Sequence, residues 1–250
     1  MLVHPHLLFP LLLVTPFLAA QAQAPTVEQI LARHFEARGG LAKIRAIRSL
    51  TSTGRIEIGP MVLALRIENP RGAYRSDTTL QGMTKTEAFD GRTGWVVDPF
   101  AGSTQAEPMG PSQLRQVELQ GDFDGPLVDW QGKGHKVSFA GMAAVNGAEA
   151  FTLKAALKNG DELTTFIDAK TFLEVKAVTR VEVGGRAVEV ETLIGDYRPV
   201  HGVRLPFAFD IQPKDQPQGM RILLEHVEAN LPMDAARFKP PSAKRAGANQ

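Results

Sequence analysis

The chain of 250 residues sets 28 Lys and Arg against 27 Asp and Glu and contains no cysteine. That balance argues against a nucleic-acid-binding surface, and the missing cysteine excludes disulfides, thiol catalysis, cysteine-ligated metals and a lipid-modified N-terminal cysteine. With 43% apolar residues it can bury a real core, as one large β domain or two small ones.

The chain opens on an apolar run, Leu7 to Leu18, interrupted by Pro10 and Pro16 and followed by Ala19-Ala20-Gln21-Ala22-Gln23-Ala24. This is the pattern of a secretory signal peptide. The run falls short of the about 20 apolar residues that span a bilayer. Cleavage is expected after Ala22, because a cut after Ala24 would place Pro25 at the scissile bond. The leading segment carries His4 and His6 but no Lys or Arg, which leaves an uncleaved anchor as the alternative. The expected organisation is a signal peptide over 1–22, one domain over 23–240 with an insert at 99–133, and a disordered tail over 241–250. The mature protein is expected outside the cytoplasm, soluble and periplasmic.

A helix is expected first. Thr26 can N-cap it and Gln29 completes a capping box. Val27, Ile30, Leu31, His34 and Phe35 recur at helical spacing, and Gly39-Gly40 stops the run. A short second helix, Leu41 to Ile47, follows. The period then falls to two. Arg55 to Ile58 alternates, and Met61, Leu63, Leu65 and Ile67 share one face of the next strand. Asn69-Pro70-Arg71-Gly72 and Gln81-Gly82 are turns, and Asp90-Gly91-Arg92-Thr93-Gly94 is a hairpin signal before Trp95. From Pro99 to Lys133 alternation lapses. Pro111 to Gln120 suits a short helix, and Phe123, Leu127, Val128 and Trp130 give this polar connection an apolar payload, as an ordered lid would have. A second meander follows from His135. It includes the turns Asn159-Gly160 and Gly184-Gly185, the strand Val175 to Val183, the one-faced set Leu205, Phe207, Phe209 and Ile211, and a last strand Met220 to Val227. The whole reads as ten to twelve antiparallel strands in one strongly curved sheet, with Leu63, Leu65, Ile67, Trp95, Val181 and Phe207 turned inward.

No catalytic motif appears: no H-E-x-x-H, G-x-S-x-G, P-loop or dinucleotide fingerprint. His34, His135, His201 and His226 stand apart, without metal-ligand spacing, so no metal and no cofactor is expected. Asp122 and Asp124 flank Phe123, with Asp129 beyond. Such a set suits general acid–base work or calcium, and more plainly a polar turn whose carboxylates cap local N–H groups. A single large sheet has two faces, and two short helices with one flap cover little of it. Apolar surface left over must bind something or meet a partner.

The order of features resembles a family. An exported helix–Gly-Gly–Leu-x-Lys-x-x-x-Ile opening precedes Phe-Asp-Gly-x-x-Gly-Trp at Phe89 to Trp95. Asp196-Tyr197-Arg198-x-x-x-Gly202-Val203-x-Leu205-Pro206 follows, then Asn230-Leu231-Pro232-Met233-Asp234 and Phe238-Lys239-Pro240. This is similar to the LolA-like outer-membrane lipoprotein-sorting proteins. The resemblance implies a mostly β, unclosed antiparallel barrel whose helices lid a hydrophobic cavity for acyl chains. It implies a periplasmic, non-enzymatic carrier that takes lipoprotein acyl chains or other lipids to the outer membrane, with envelope membrane proteins donating or accepting cargo. A related fold in the RseB regulators implies the alternative, an envelope interaction or sensor module that uses the sheet as a docking surface. On this reading an apolar cavity of roughly 300–1,000 Å³ lies between the concave sheet and the first helix. Leu31, Phe35, Leu63, Leu65, Ile67, Trp95, Phe123, Leu127, Trp130 and Phe207 are the candidates to line it.

Overall fold

A computed structural model describes residues 24–183 and 186–241. The expected signal peptide, the Gly184-Gly185 turn and nearly all of the expected tail lie outside the described residues.

The first helix, α1 (Val27–Ala37), forms where the capping box predicts it. The Gln29 N–H donates to Thr26 Oγ1 at 3.3 Å and the Thr26 N–H to Gln29 Oε1 at 2.9 Å. These bonds satisfy donors that a helix N-terminus leaves orphaned. Ile30, Leu31 and His34 form its buried face. It ends at Gly39, φ +115°, where a side chain is forbidden twice over: a Cβ would lie 2.3 Å from the carbonyl oxygen of Gly202. The short α2 (Leu41–Ala46) follows.

Thirteen strands then make one antiparallel sheet. The N-terminal meander comprises β1 (Ser49–Ile58), β2 (Met61–Pro70), β3 (Tyr74–Leu80), β4 (Met83–Phe89), β5 (Gly94–Val97) and the two-residue β6 (Glu107–Pro108). The connection holds α3 (Pro111–Gly121), with Pro at its first turn and the Gly110 N–H donating to Gln113 Oε1 at 3.1 Å. The C-terminal meander comprises β7 (Lys136–Val145), β8 (Ala148–Ala156), β9 (Glu162–Asp168), β10 (Glu174–Val183), β11 (Arg186–Val200), β12 (Val203–Pro213) and β13 (Met220–Ala229). The spatial order β6-β5-β4-β3-β2-β1-β13-β12-β11-β10-β9-β8-β7 puts the first and last strands side by side at the centre. Gly54 stands at the register shift in that seam, where a Cβ would meet the Leu223 carbonyl oxygen at 2.1 Å. The fold is thus mostly β, with three short helices and a sheet that does not close into a barrel.

The sheet curls strongly, and α3 shows by how much. Leu114 and Val117 of α3 pack with Tyr74 and Phe89 on β3 and β4. Leu119 packs against Ala155, Leu157 and Leu163 beside β8 and β9. Along the sheet, β3 and β9 are seven strand-to-strand steps apart, about 34 Å at roughly 4.8 Å a step. Five helical residues rise only about 7.5 Å. One short helix can touch both places only if the sheet bends round to meet it.

Candidate functional site

The strand registers divide the sheet into two faces. Ile67 pairs with Ser52, which pairs with Val227; Leu65 pairs with Gly54, and Leu63 with Ile56, which pairs with Ile222. Ile222 pairs with Phe209, and Phe209 with Ile194. Val181, Ala177, Thr165 and Leu153 continue the same face across β10, β9 and β8. This is the concave face, because α1, α2 and α3 all pack on it.

One end of the concave face is covered. Ile44 and Ile47 pack with Leu50, Val203, Leu205 and Phe207. From α1, Ile30 and Leu31 pack with Leu153 and Ile167, while Phe35 lies against both groups. The stretch after α3 fills the space between: Val128 joins the first group with Phe123 beside it, and Leu127 joins the second with Trp130 beside it. Leu31, only 3% exposed, is therefore embedded in packed side chains, and the space expected between α1 and the sheet is filled there.

The other end is not covered in this way. Leu63 and Leu65 are buried, and Ile56, Ile194, Phe209 and Ile222 are half-buried. None of the six belongs to the groups packed under the helices. Met61, Met83 and Met220 carry this face out to the strand ends and are 46%, 44% and 36% exposed. The result is an apolar trough on five adjacent strands, β2, β1, β13, β12 and β11, roofed where α3 reaches from β3 to β9. Two clefts open beside α3. One, of about 660 Å³, is lined by Arg115, Asp161, Glu162, Arg180 and Val181. The second, of about 580 Å³, is lined by Leu119, Asp122, Lys133, His135 and Leu157.

The candidate residues therefore separate. Leu63 and Leu65 lie in the trough, Ile67 meets α3, and Phe207 is buried in the first packed group of the covered end. Leu31, Phe35, Phe123, Leu127 and Trp130 lie in or against the packed groups of the covered end. Trp95 is a correction: it pairs with Ala88, which pairs with Arg75, on the convex face. Its indole N–H donates to the Phe238 carbonyl at 2.9 Å, and Arg75 sits 5.7 Å over its ring. The indole needs a partner for its N–H once buried, and the C-terminal segment supplies one by wrapping this outer face. Ile56, Ile194 and Ile222 escaped the sequence reading as lining residues. The alternation of Arg55 to Ile58 and of the last strand is the signal that reaches two of them.

The Asp pair of the insert also differs from expectation. Asp122 and Asp124 do not serve as caps of a polar turn. Lys133 Nζ donates to both Asp122 oxygens, at 2.6 and 2.7 Å, and to the Gly125 carbonyl at 2.9 Å. Asp124 is buried and paired with Arg71, whose guanidinium also donates to the carbonyls of Ile44 and Arg45 at 3.2 Å. Asn69 Nδ2 donates to the Gln120 carbonyl at 2.7 Å. The β2–β3 turn thus ties the insert to α2. Burial pushes the Asp122 carboxyl above its ordinary range, against the opposing pull of Lys133. Among the described residues no group of three His, Asp or Glu side chains is placed to hold a metal ion.

No protein-family model matches the sequence, and no curated protein does. Solved structures do match in fold. A LolA superfamily protein from Nitrosomonas europaea superimposes with a TM-score of 0.58 at 13% identity, covering 86% of this chain and 98% of that one. A DUF1329 family protein from Desulfovibrio piger gives 0.57 at 11%, with 82% and 95% covered. A putative outer membrane lipoprotein-sorting protein domain from Vibrio parahaemolyticus gives 0.56 at 10%, with 84% and 94% covered. The chain therefore has the LolA-like fold.

Proposed function

We propose that this protein is an exported, non-enzymatic carrier that holds the acyl chains of a lipoprotein or another lipid in the trough and delivers them to the outer membrane. One observation carries the reading: a continuous apolar row on the concave face, from Leu63 through Ile56, Ile222 and Phe209 to Ile194, that lies outside the groups packed under the helices and is roofed by α3. Each methylene that leaves water for such a surface gains about 0.8 kcal/mol. An open, partly solvated wall keeps that gain below full burial, so that cargo can leave again. The fold likeness to a putative lipoprotein-sorting domain supports the same reading. The leader ending Ala20-Gln21-Ala22 supports a periplasmic location, and no described helix is long and apolar enough to cross a membrane. Envelope membrane proteins would be the donors and acceptors.

Protein expressed from Met1 in a Gram-negative host should be recovered from the periplasm with Gln23 at its N-terminus. Native mass spectrometry should find co-purified lipid, and a fluorescent acyl probe should bind. Replacing Ile222 and Phe209 together with Asn should abolish probe binding while the sheet stays folded. Protein free of lipid that also ignores the probe would overturn the carrier reading and favour a docking module.

A further inference from the structure

Resting on the carrier reading, we propose that the rim at the open end of the trough docks on a lipid bilayer, with its apolar side chains entering the membrane surface, so that cargo passes between trough and membrane without crossing water. Position comes first. Seven large apolar side chains are exposed among the described residues, and five of them, Met61, Val62, Met83, Phe100 and Met220, stand at one end of the sheet. Antiparallel strands alternate in direction, and Glu57 of β1 pairs with Arg221 of β13. The β1–β2, β3–β4 and β12–β13 turns and the stretch after β5 therefore share that end. Val62 is 54% and Phe100 41% exposed. Single apolar residues scattered over a surface need no explanation, but a concentration on one rim marks a contact surface.

Chemistry comes second, and it selects a membrane over a protein. The turns that present these residues, Gly59-Pro60, Gln81-Gly82, 99–106 and 216–219, contain no charged side chain. At the covered end the β2–β3, β4–β5 and β9–β10 turns contain Arg71, Asp90, Arg92 and Lys170. A charged tip would resist entry into a bilayer, whereas Met, Val and Phe gain from it. The five side chains also stand on four separate turns. A fluid surface closes around each tip, whereas a rigid protein partner would have to match all four at once. Continuity is the third argument. Met61 shares its strand face with Leu63, and Met220 shares its face with Ile222, so the rim runs unbroken into the trough. Each methylene that crossed water on its way to a membrane would add to the barrier for transfer, and a rim seated in the bilayer removes that step.

Flotation of the purified protein with neutral phosphatidylcholine vesicles tests this, together with transfer of a bound fluorescent acyl probe to the same vesicles. Wild-type protein should float with the vesicles, and high salt should leave the binding unchanged, because the rim has no charge to screen. Replacing Val62→Gln and Phe100→Gln together should weaken vesicle binding on the order of tenfold and slow probe transfer by a similar factor. Val62 pairs with Glu57 on the convex face and Phe100 lies in the short turn after β5, so neither lines the trough. Probe affinity in solution and the melting temperature of this double variant should therefore match wild type. Wild-type protein that holds the probe and ignores the vesicles overturns the docking surface while the carrier reading stands, and a protein acceptor then takes the place of the bilayer. Vesicle binding that the double variant retains, or that high salt abolishes, overturns it too, because the contact then lies on another surface. Vesicle binding by protein that ignores the probe keeps the rim contact and removes the carrier reading instead.

Discussion

The two ends of the concave face are built from the same residue types and behave differently. At the covered end Ile44, Ile47, Leu153, Ile167 and Val203 expose 1% or less, locked beneath α1, α2 and the stretch after α3. At the open end Ile56, Ile194, Phe209 and Ile222 stay half-buried with only the curl of the sheet around them. The sheet is continuous through both, so the difference lies in the second layer. Where helices supply that layer, apolar surface stabilises the fold. Where they do not, the same surface stays available to a ligand.

The strongest way to break this comparison is to truncate a side chain at each end. Leu153→Ala at the covered end should cost about 3 kcal/mol, within the roughly 2–5 kcal/mol range for buried Leu and Ile truncations. Ile222→Ala at the open end should cost about 1 kcal/mol or less and should instead weaken acyl-probe binding. Chemical denaturation and probe titration of both variants measure this, and equal stability costs would dissolve the distinction. Next in size is the tie that fastens the insert over the covered end. Arg71→Ala strands the buried Asp124 carboxylate and should cost about 2 kcal/mol. Adding Asp124→Ala should recover part of it. A double variant no more stable than the single one would mean that Arg71 acts through the carbonyls of Ile44 and Arg45 instead.

A smaller effect comes from His34. It is buried in α1, with Nδ1–H donating to the Phe172 carbonyl at 2.8 Å. Burial holds its pKa below the ordinary histidine value, with Arg38 adding to the effect against the pull of Glu174. As pH falls through about 6.5 the unfolded chain takes up this proton before the folded one does. Stability should therefore fall on acidification, by up to about 1.4 kcal/mol per pH unit until the folded-state pKa is reached. Denaturation midpoints from pH 7.5 to 5 should show the slope, and His34→Gln should flatten it. The smallest effect belongs to the unmodified protein. Amides of α3 and of residues 122–134 should exchange before those of β10, because that segment is held by a few ion pairs and anchors, not by a strand ladder. A bound acyl chain should slow their exchange. Protection equal to that of β10 would make the segment ordinary structure and not a movable lid.

Much of the fold was legible in the sequence because local chemistry agreed with it. The Thr26–Gln29 capping box, the Pro111 helix start and the Asp90 hairpin fall where their spacing puts them. In that hairpin the Arg92 and Thr93 N–H groups donate to Asp90 Oδ1. The start of β1 was harder to read. Ser49 to Thr53 presents Ser and Thr where alternation looks for aliphatics: of this stretch only Leu50 packs with α2, while Ser49 and Thr51 lie on the opposite face, where Ser49 Oγ donates to the Leu231 carbonyl at 3.0 Å. Trp95 was assigned the wrong face because β5 has four residues, too few to set a phase after a tight turn, and its partner Phe238 lies at the far end of the chain. The tie between Arg71 and Asp124 spans 53 positions and leaves no local mark. Alternation identified which residues share a face of the sheet. Which part of that face the helices would cover depended on tertiary packing that no window of sequence contains.

The seam between β1 and β13 bears on how the molecule comes into being. The two strands at the centre of the sheet are separated by nearly the whole described chain, so their pairing is the most non-local contact in the fold. Until β13 emerges, β1 has one ladder edge unpaired, and neither half can bend fully toward the other. A chain threaded across a membrane from its N-terminus would acquire its curvature only at the end of translocation. Folding of this kind is slow, and in the interval an aliphatic sheet face stands open beside an exposed strand edge, an aggregation hazard. The surface proposed to hold an acyl chain would then be the surface most in need of protection while the protein is being made.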